Sequence, residues 1–207
     1  MGRVAVSLVV GGLVLACAEP APESLDAGPC RAVVRDVAPG ESPHVPVGTE
    51  IAWSANPPVG GPHFPSWGRW GESHVALERG HWVHNLEHGG VVLLHNCPSG
   101  CADDLARLEA LLAAFPVDAS CTAPVRARLL IAADPLLPAG VPIAAAAWGR
   151  SYTAACVDEQ TLGAFVRATY ASAPEDTCAQ GREPSVPAAD AGPSSDAGAA
   201  STDAAGE

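Results

Sequence analysis

All seven histidines of this 207-residue chain fall between His44 and His95, and four of its five tryptophans, Trp53, Trp67, Trp70 and Trp82, lie in the same window. Imidazole is the commonest protein ligand for zinc and copper at neutral pH, so the clustering points to transition-metal chemistry. His84 and His88 are four residues apart; on a helical turn they face one side and can share an ion. His63 follows a Pro/Gly-rich loop stiff enough to hold a third imidazole in place. His95, at the end of the apolar run that leaves this region, is a candidate to complete the set. Glu87 is a further ligand, a carboxylate orienting an imidazole N–H, or a general base. The alternative is structural: a domain with few regular ladders needs side chains to satisfy its backbone groups, and these histidines with Glu87 can form such a network. His44, His74 and His81 are expected at the surface or in packing, and the tryptophans in the core.

A second chemistry resides in the cysteines. The chain has seven; setting Cys17 aside, Cys30, Cys97, Cys101, Cys121, Cys156 and Cys178 remain. An even number in an exported domain implies three disulfides. Sequence does not select among the pairings; a Cys30–Cys178 bridge closing the domain is the expectation, with Cys97 and Cys101 not necessarily joined to each other. Cys97-Pro98-Ser99-Gly100-Cys101 is also a conceivable redox pair or soft-metal site, although thioredoxin-like motifs have two residues between their cysteines and not three.

The elements that position these residues are more regular after residue 88. Residues 90–95 read as a buried strand. Residues 102–115 place Leu105, Leu108, Leu112 and Phe115 on one helical face, with Asp103 and Asp104 where a helix N-terminus favours negative charge. Residues 128–132 and 142–148 read as two strands joined by a Pro-rich turn. Asp158 caps a second helix carrying Leu162, Phe165, Val166, Thr169 and Tyr170. Before residue 88 the chain reads as short strands and ordered loops, with a strand expected within residues 45–53. The expected fold is a small, single-domain α+β structure: a mixed or antiparallel sheet, two helices on one face, a loop-rich His/Trp/Pro N-terminal half, and disulfide stabilisation.

Two strings define the centre of the window: Asn56-Pro57-Pro58-Val59-Gly60-Gly61-Pro62-His63-Phe64-Pro65 and Val83-His84-Asn85-Leu86-Glu87-His88-Gly89-Gly90-Val91-Val92. Together they resemble the bacterial domain of unknown function 3105 family, whose members carry Pro-Pro-x-x-Gly-Pro-His-x-Pro followed by His-x-Leu-Glu-His-Gly running into an apolar strand. The resemblance implies site residues without implying a reaction. Where it leads one to expect an aromatic after the strand, this chain has His95. Residues 84–88 also fit the His-x-x-Glu-His pattern of inverzincin peptidases, with Glu109 as a third ligand on the following helix. That reading requires a long helix, and Gly89-Gly90 follows at once.

The ends of the chain bear on location. One arginine, an apolar run over residues 4–16 and Leu13-Val14-Leu15-Ala16-Cys17 resemble a bacterial lipoprotein signal peptide, residues 1–16, with Cys17 as the lipid anchor. The run is shorter than the roughly 20 residues a membrane span needs. Residues 17–29 are expected as a flexible tether, residues 30–182 as the globular domain, and residues 183–207, rich in Ala, Gly, Ser and Asp, as a disordered tail. Residue 18 is not Asp, which by Gram-negative sorting rules implies the outer membrane. The net charge of −12, with all 11 positive side chains arginine, argues against nucleic acid or an anionic lipid surface as partner. Three functions follow: a cell-envelope, membrane-anchored lipoprotein binding copper or zinc through His63, His84 and His88; a metal-dependent hydrolase or oxidoreductase with Glu87 as base; or an interaction domain without metal.

Overall fold

The computed structural model describes residues 20–98 and 100–182. The expected signal peptide over residues 1–16, the expected anchor Cys17 and the expected tail over residues 183–207 lie outside the described residues. In chain order the elements are β1 (Glu23–Ser24), a 3-10 turn (Gly28–Cys30), β2 (Val33–Asp36), β3 (Ser73–His74), α1 (Arg79–Glu87), β4 (Val91–His95), α2 (Ala102–Ala114), β5 (Leu129–Ala133), β6 (Ile143–Ala147), β7 (Arg150–Ala154) and α3 (Glu159–Thr169). They form a single α+β domain on one seven-stranded sheet of order β1-β2-β7-β6-β4-β5-β3. The sheet is mixed: β3, β4 and β5 run parallel, and the remaining pairs are antiparallel.

The apolar runs of the central strands reflect burial on both faces. Val91 and Leu93, Leu129 and Ile131, and Ile143, Ala145 and Ala147 point to one side, where Leu108 of α2 and Leu162, Phe165 and Val166 of α3 cover them. Val92 and Leu94, Leu130 and Ala132, and Ala144 and Ala146 point to the other side, under Trp82, Val83 and Leu86 of α1. Helices therefore cover both faces, not one, and there are three of them. Sequence patterning does not predict α1, which has no amphipathic stripe: every residue from Gly80 to Glu87 is buried. A helix buried all round loses the polar face by which helical periodicity is recognised.

Two further expectations are corrected. The strands over residues 128–132 and 142–148 exist, with bounds shifted by a residue, but they are not neighbours; β4 lies between them. β6 pairs instead with β7, unforeseen because Arg150 and Thr153 break its apolar run, through the two-residue turn Trp148-Gly149 with Gly149 at φ 71°. No strand forms over residues 45–53; the pairing in that region is a bridge between His44 and His63. The α3 cap is as expected, with the Asp158 carboxylate accepting from the Thr161 N–H at 2.8 Å.

The disulfides are Cys30–Cys156, Cys97–Cys101 and Cys121–Cys178. Cys30 closes onto the β7–α3 connection and not onto Cys178, because β2 lies beside β7. Three bridges suit an oxidising, extracytoplasmic compartment. Among the described residues no helix is long and apolar enough to cross a membrane. Residues 23–29, expected as tether, are built into the domain: β1 pairs with β2, and Ala27 is buried.

Candidate functional site

The site is assembled around α1 by a loop that folds back over it. The loop is held at several points. The Gly149 N–H of the β6–β7 turn donates to the Val59 carbonyl at 2.7 Å. Asn85, fully buried, grips Gly68 from both sides: its Oδ1 accepts from the Gly68 N–H at 2.8 Å and its Nδ2 donates to the Gly68 carbonyl at 2.9 Å. The Phe64 ring lies so close to α1 that a Cβ on Gly80 would stand 2.5 Å from it. At the N-terminal end of α1, Arg79 forks onto the Asp134 carboxylate at 3.0–3.1 Å and reaches the Asn56 amide oxygen at 2.8 Å.

The last turn of α1 carries His84 and Glu87, three residues apart and so on one face. His88 is the C-cap, and Gly89 at φ 78° turns the chain out of the helix. The helix's orphan carbonyls are satisfied from outside. Glu87 O accepts from the Glu175 N–H at 3.1 Å, His88 O from an Arg128 guanidinium N–H at 3.1 Å, and Gly89 O from the Ala171 N–H at 2.9 Å.

Opposite this turn stand His63 and His44, brought together by backbone pairing. The Val45 N–H donates to His63 O at 2.8 Å and the His63 N–H to Pro43 O at 3.2 Å. His44, His63, His84 and Glu87 each offer a donor atom, and the four atoms lie within 4.8 Å of one another. The ring centroids of His44, His63 and His84 are 4.8–4.9 Å apart. His63 is fully buried, His84 nearly so, and the His44 side chain is about half exposed.

The hydrogen bonds fix which nitrogens are free. His84 Nδ1 is 2.6 Å from the Phe64 carbonyl, which only accepts, so the proton sits on Nδ1 and Nε2 keeps its lone pair. Burial pushes the His84 pKa down to about 3; the Phe64 carbonyl opposes this and nearby His88, His63 and His44 reinforce it. The ring is therefore neutral, the form that binds metal. His63 Nδ1 likewise faces the Gly61 carbonyl at 2.8 Å, yet His63 Nε2 lies 3.0 Å from Glu87 Oε2. Both nitrogens of one ring thus face oxygen acceptors, and a neutral imidazole has only one N–H to give. A proton or a metal ion shared between His63 and Glu87 would satisfy both contacts. His44 Nε2 approaches the same carboxylate oxygen at 3.8 Å.

The structure joins His63, His84 and Glu87 as one group but adds His44 in place of His88 and His95. His88 packs beside His84 with ring centroids 4.6 Å apart and against Trp67 at 4.6 Å. Its Nδ1 approaches Glu175 at 3.1 Å, but neither ring nitrogen makes a hydrogen bond among the described residues. Burial lowers its pKa, the Glu175 charge working against this. His95 stands at the far end of β4, in a separate group with Cys97 and Cys101. His74 and His81 bond to the carbonyls of Arg69 and Ser66, at 2.9 and 2.8 Å. Trp67, partly buried and packed against the core on the α1 side of the sheet, also closes the side of the site, 4.9 Å from the His84 ring. The inverzincin arrangement is absent among the described residues: α1 stops at Glu87, and Glu109 lies on α2, across the sheet. Sequence patterning had no means of finding His44, whose place depends on pairing with a residue nineteen positions away.

A family model described as protein of unknown function (DUF3105) matches residues 44–182. The chain belongs to this family. The match begins at His44 and takes in all four clustered donors, whereas β1 and β2 lie outside it. No curated protein and no solved structure gives a significant match. The DUF3105 domain of this chain thus carries the site, and its function is read from the geometry.

Proposed function

We propose that the protein is an envelope lipoprotein, anchored through Cys17, that binds a copper or zinc ion through His44, His63, His84 and Glu87. The observation that carries the reading is the opposition of His63 Nε2 to the Glu87 carboxylate at 3.0 Å, with the other ring nitrogen already committed to Gly61. Two ligands of one tetrahedral ion with bonds of about 2.0–2.1 Å are about 3.3 Å apart, so His63 and Glu87 already stand at a coordination edge. The wider edges, up to 4.8 Å, must contract. The half-exposed His44 ring is the one free to swing inward. Imidazole-dominated donors select copper or zinc over calcium or magnesium. Glu87 sits among the donors and not across a substrate-sized gap from them, which favours binding over use as a base.

Elemental analysis tests the reading. The purified full chain should carry or take up one equivalent of copper or zinc, and His63→Ala and His84→Ala should lose it while keeping the wild-type circular dichroism spectrum. Negligible metal in all samples, or equal metal in wild type and variants, would leave the proton-bridged network as the function of these residues. Incorporation of labelled palmitate into the wild-type chain, compared with Cys17→Ser, checks the anchor; no label in the wild type, or equal label in the two, would rule it out.

A further inference from the structure

β4 ends at His95, and the chain passes through Cys97 and Cys101 into α2. His95, Cys97 and Cys101 each offer a donor atom, and the three lie within 4.8 Å of one another. None belongs to the histidine cluster. The Nδ1 of His95 is buried and has no hydrogen-bond partner among the described residues, although buried polar atoms nearly always have one. The three residues are each partly exposed, so a thiol reagent can reach them. Cys97 and Cys101 are joined as a disulfide with Cα atoms 5.6 Å apart. Cys101 is the N-cap of α2, where the backbone N–H groups favour a thiolate. Asp103 and Asp104 in the first turn add negative charge that a bound cation would offset.

We infer that reduction of Cys97–Cys101 turns the end of β4 into a second metal site, at which two thiolates and the His95 imidazole hold a thiophilic ion, Zn²⁺ or Cu⁺. The reductant is a dithiol. One of its thiolates attacks a protein sulfur and breaks the S–S bond. Its second thiol resolves the mixed disulfide, and it leaves as its own disulfide. Two electrons and two protons pass to Cys97 and Cys101, and metal binding then releases those two protons to solvent. An ion with Zn–S bonds of about 2.3 Å holds its sulfurs about 3.8 Å apart, a spacing that suits cysteines whose Cα atoms are 5.6 Å apart. The site is closed to metal while the disulfide stands, so occupancy follows the redox state of its surroundings.

Co²⁺ is the probe, because thiolate-to-cobalt charge transfer absorbs in the near ultraviolet and imidazole or carboxylate ligation does not. The full chain is reduced anaerobically with dithiothreitol, desalted and titrated with Co²⁺. The charge-transfer band should appear in the reduced protein, saturate at one equivalent and be absent from the oxidised protein. It should vanish in the Cys97→Ser/Cys101→Ser variant and survive in Cys121→Ser/Cys178→Ser. His95→Ala, which leaves every thiol in place, should weaken Co²⁺ binding at that band by about tenfold or more, the scale on which metal sites lose affinity when a supporting group is removed. No band in the reduced wild type, a band persisting without Cys97 and Cys101, or unchanged affinity in His95→Ala would each overturn the inference. The histidine cluster is assayed in the oxidised protein, so either reading can fail without the other.

Discussion

Replacing Glu87 with Gln separates a metal site from a proton-bridged network. The substitution keeps size and shape, and the carboxamide N–H can donate to His63 Nε2, which now faces a carboxylate at 3.0 Å. The metal-free fold should therefore survive. It loses a charge-assisted bond of about 1.5–3 kcal/mol and gains a neutral one of about 0.5–1.5 kcal/mol. Metal binding should suffer more. A ligand at one hundred times its Kd stabilises the native state by about 2.7 kcal/mol, which for a domain of this size raises Tm by about 5–11 °C. Loss of the carboxylate should weaken affinity by about 10–100-fold. At the same metal concentration the variant would then retain only about 0.4–1.4 kcal/mol of that stabilisation, a Tm rise of about 1–6 °C. Differential scanning calorimetry of both proteins, with and without Zn²⁺ or Cu²⁺, measures the difference. Equal shifts in wild type and Glu87→Gln would refute Glu87 as part of the donor set, and no shift in either would refute the site.

Other perturbations probe the scaffold. Gly80→Ala would press a methyl group into the Phe64 ring, where a Cβ has only 2.5 Å; overpacking of this kind costs about 1–3 kcal/mol, visible in urea unfolding, and because Phe64 follows His63 it should also reduce metal uptake. Leu93→Ala empties a fully buried position on the central strand and should cost about 2–5 kcal/mol by the same measurement. Acid stability should depend on Asp118. Burial alone would raise its pKa, but hydrogen bonds from Ser120, Tyr170 and Arg128 outweigh it and hold the carboxyl well below the usual range. A depressed folded pKa contributes stability that is present above the unfolded value near about 3.9 and is lost as pH falls through the folded value. Tyr170→Phe removes one of those bonds, so its stability at pH 7 should be lower and its loss on acidification below about pH 4 smaller than in wild type; parallel losses in pH-dependent denaturation curves would show that Tyr170 does not tune Asp118.

The sequence was most informative where burial is simple. β4, β5 and β6 are apolar runs because both their faces are covered, and α2 and α3 show a stripe because one of theirs is. Strand neighbours were not legible, since nothing local tells β5 that β4 will lie between it and β6. At the site, His63, His84 and Glu87 were recognisable from residue type and spacing within two motifs. His44 was not, because a single bridge to His63 places it. Asn85 was also missed. Its motif position carried no chemical signal, and its task of clamping Gly68 becomes apparent only once the loop is seen against α1. The Cys30–Cys156 pairing followed from β2 lying beside β7, which local spacing does not encode.

The pairing of Glu23 and Ser24 with β2 sets a reach. If Cys17 holds the lipid, only residues 18–22 separate it from the first paired residue. Six Cα steps of at most about 3.6 Å span about 20 Å. A leash running on to residue 29 would have been about twice as long and would have let the domain roam. If the Cys17 anchor holds, a leash this short would keep the β1 edge of the sheet close to the lipid headgroups. On the proposed function, any donor or acceptor of the metal would then meet the protein in that thin layer beside the bilayer.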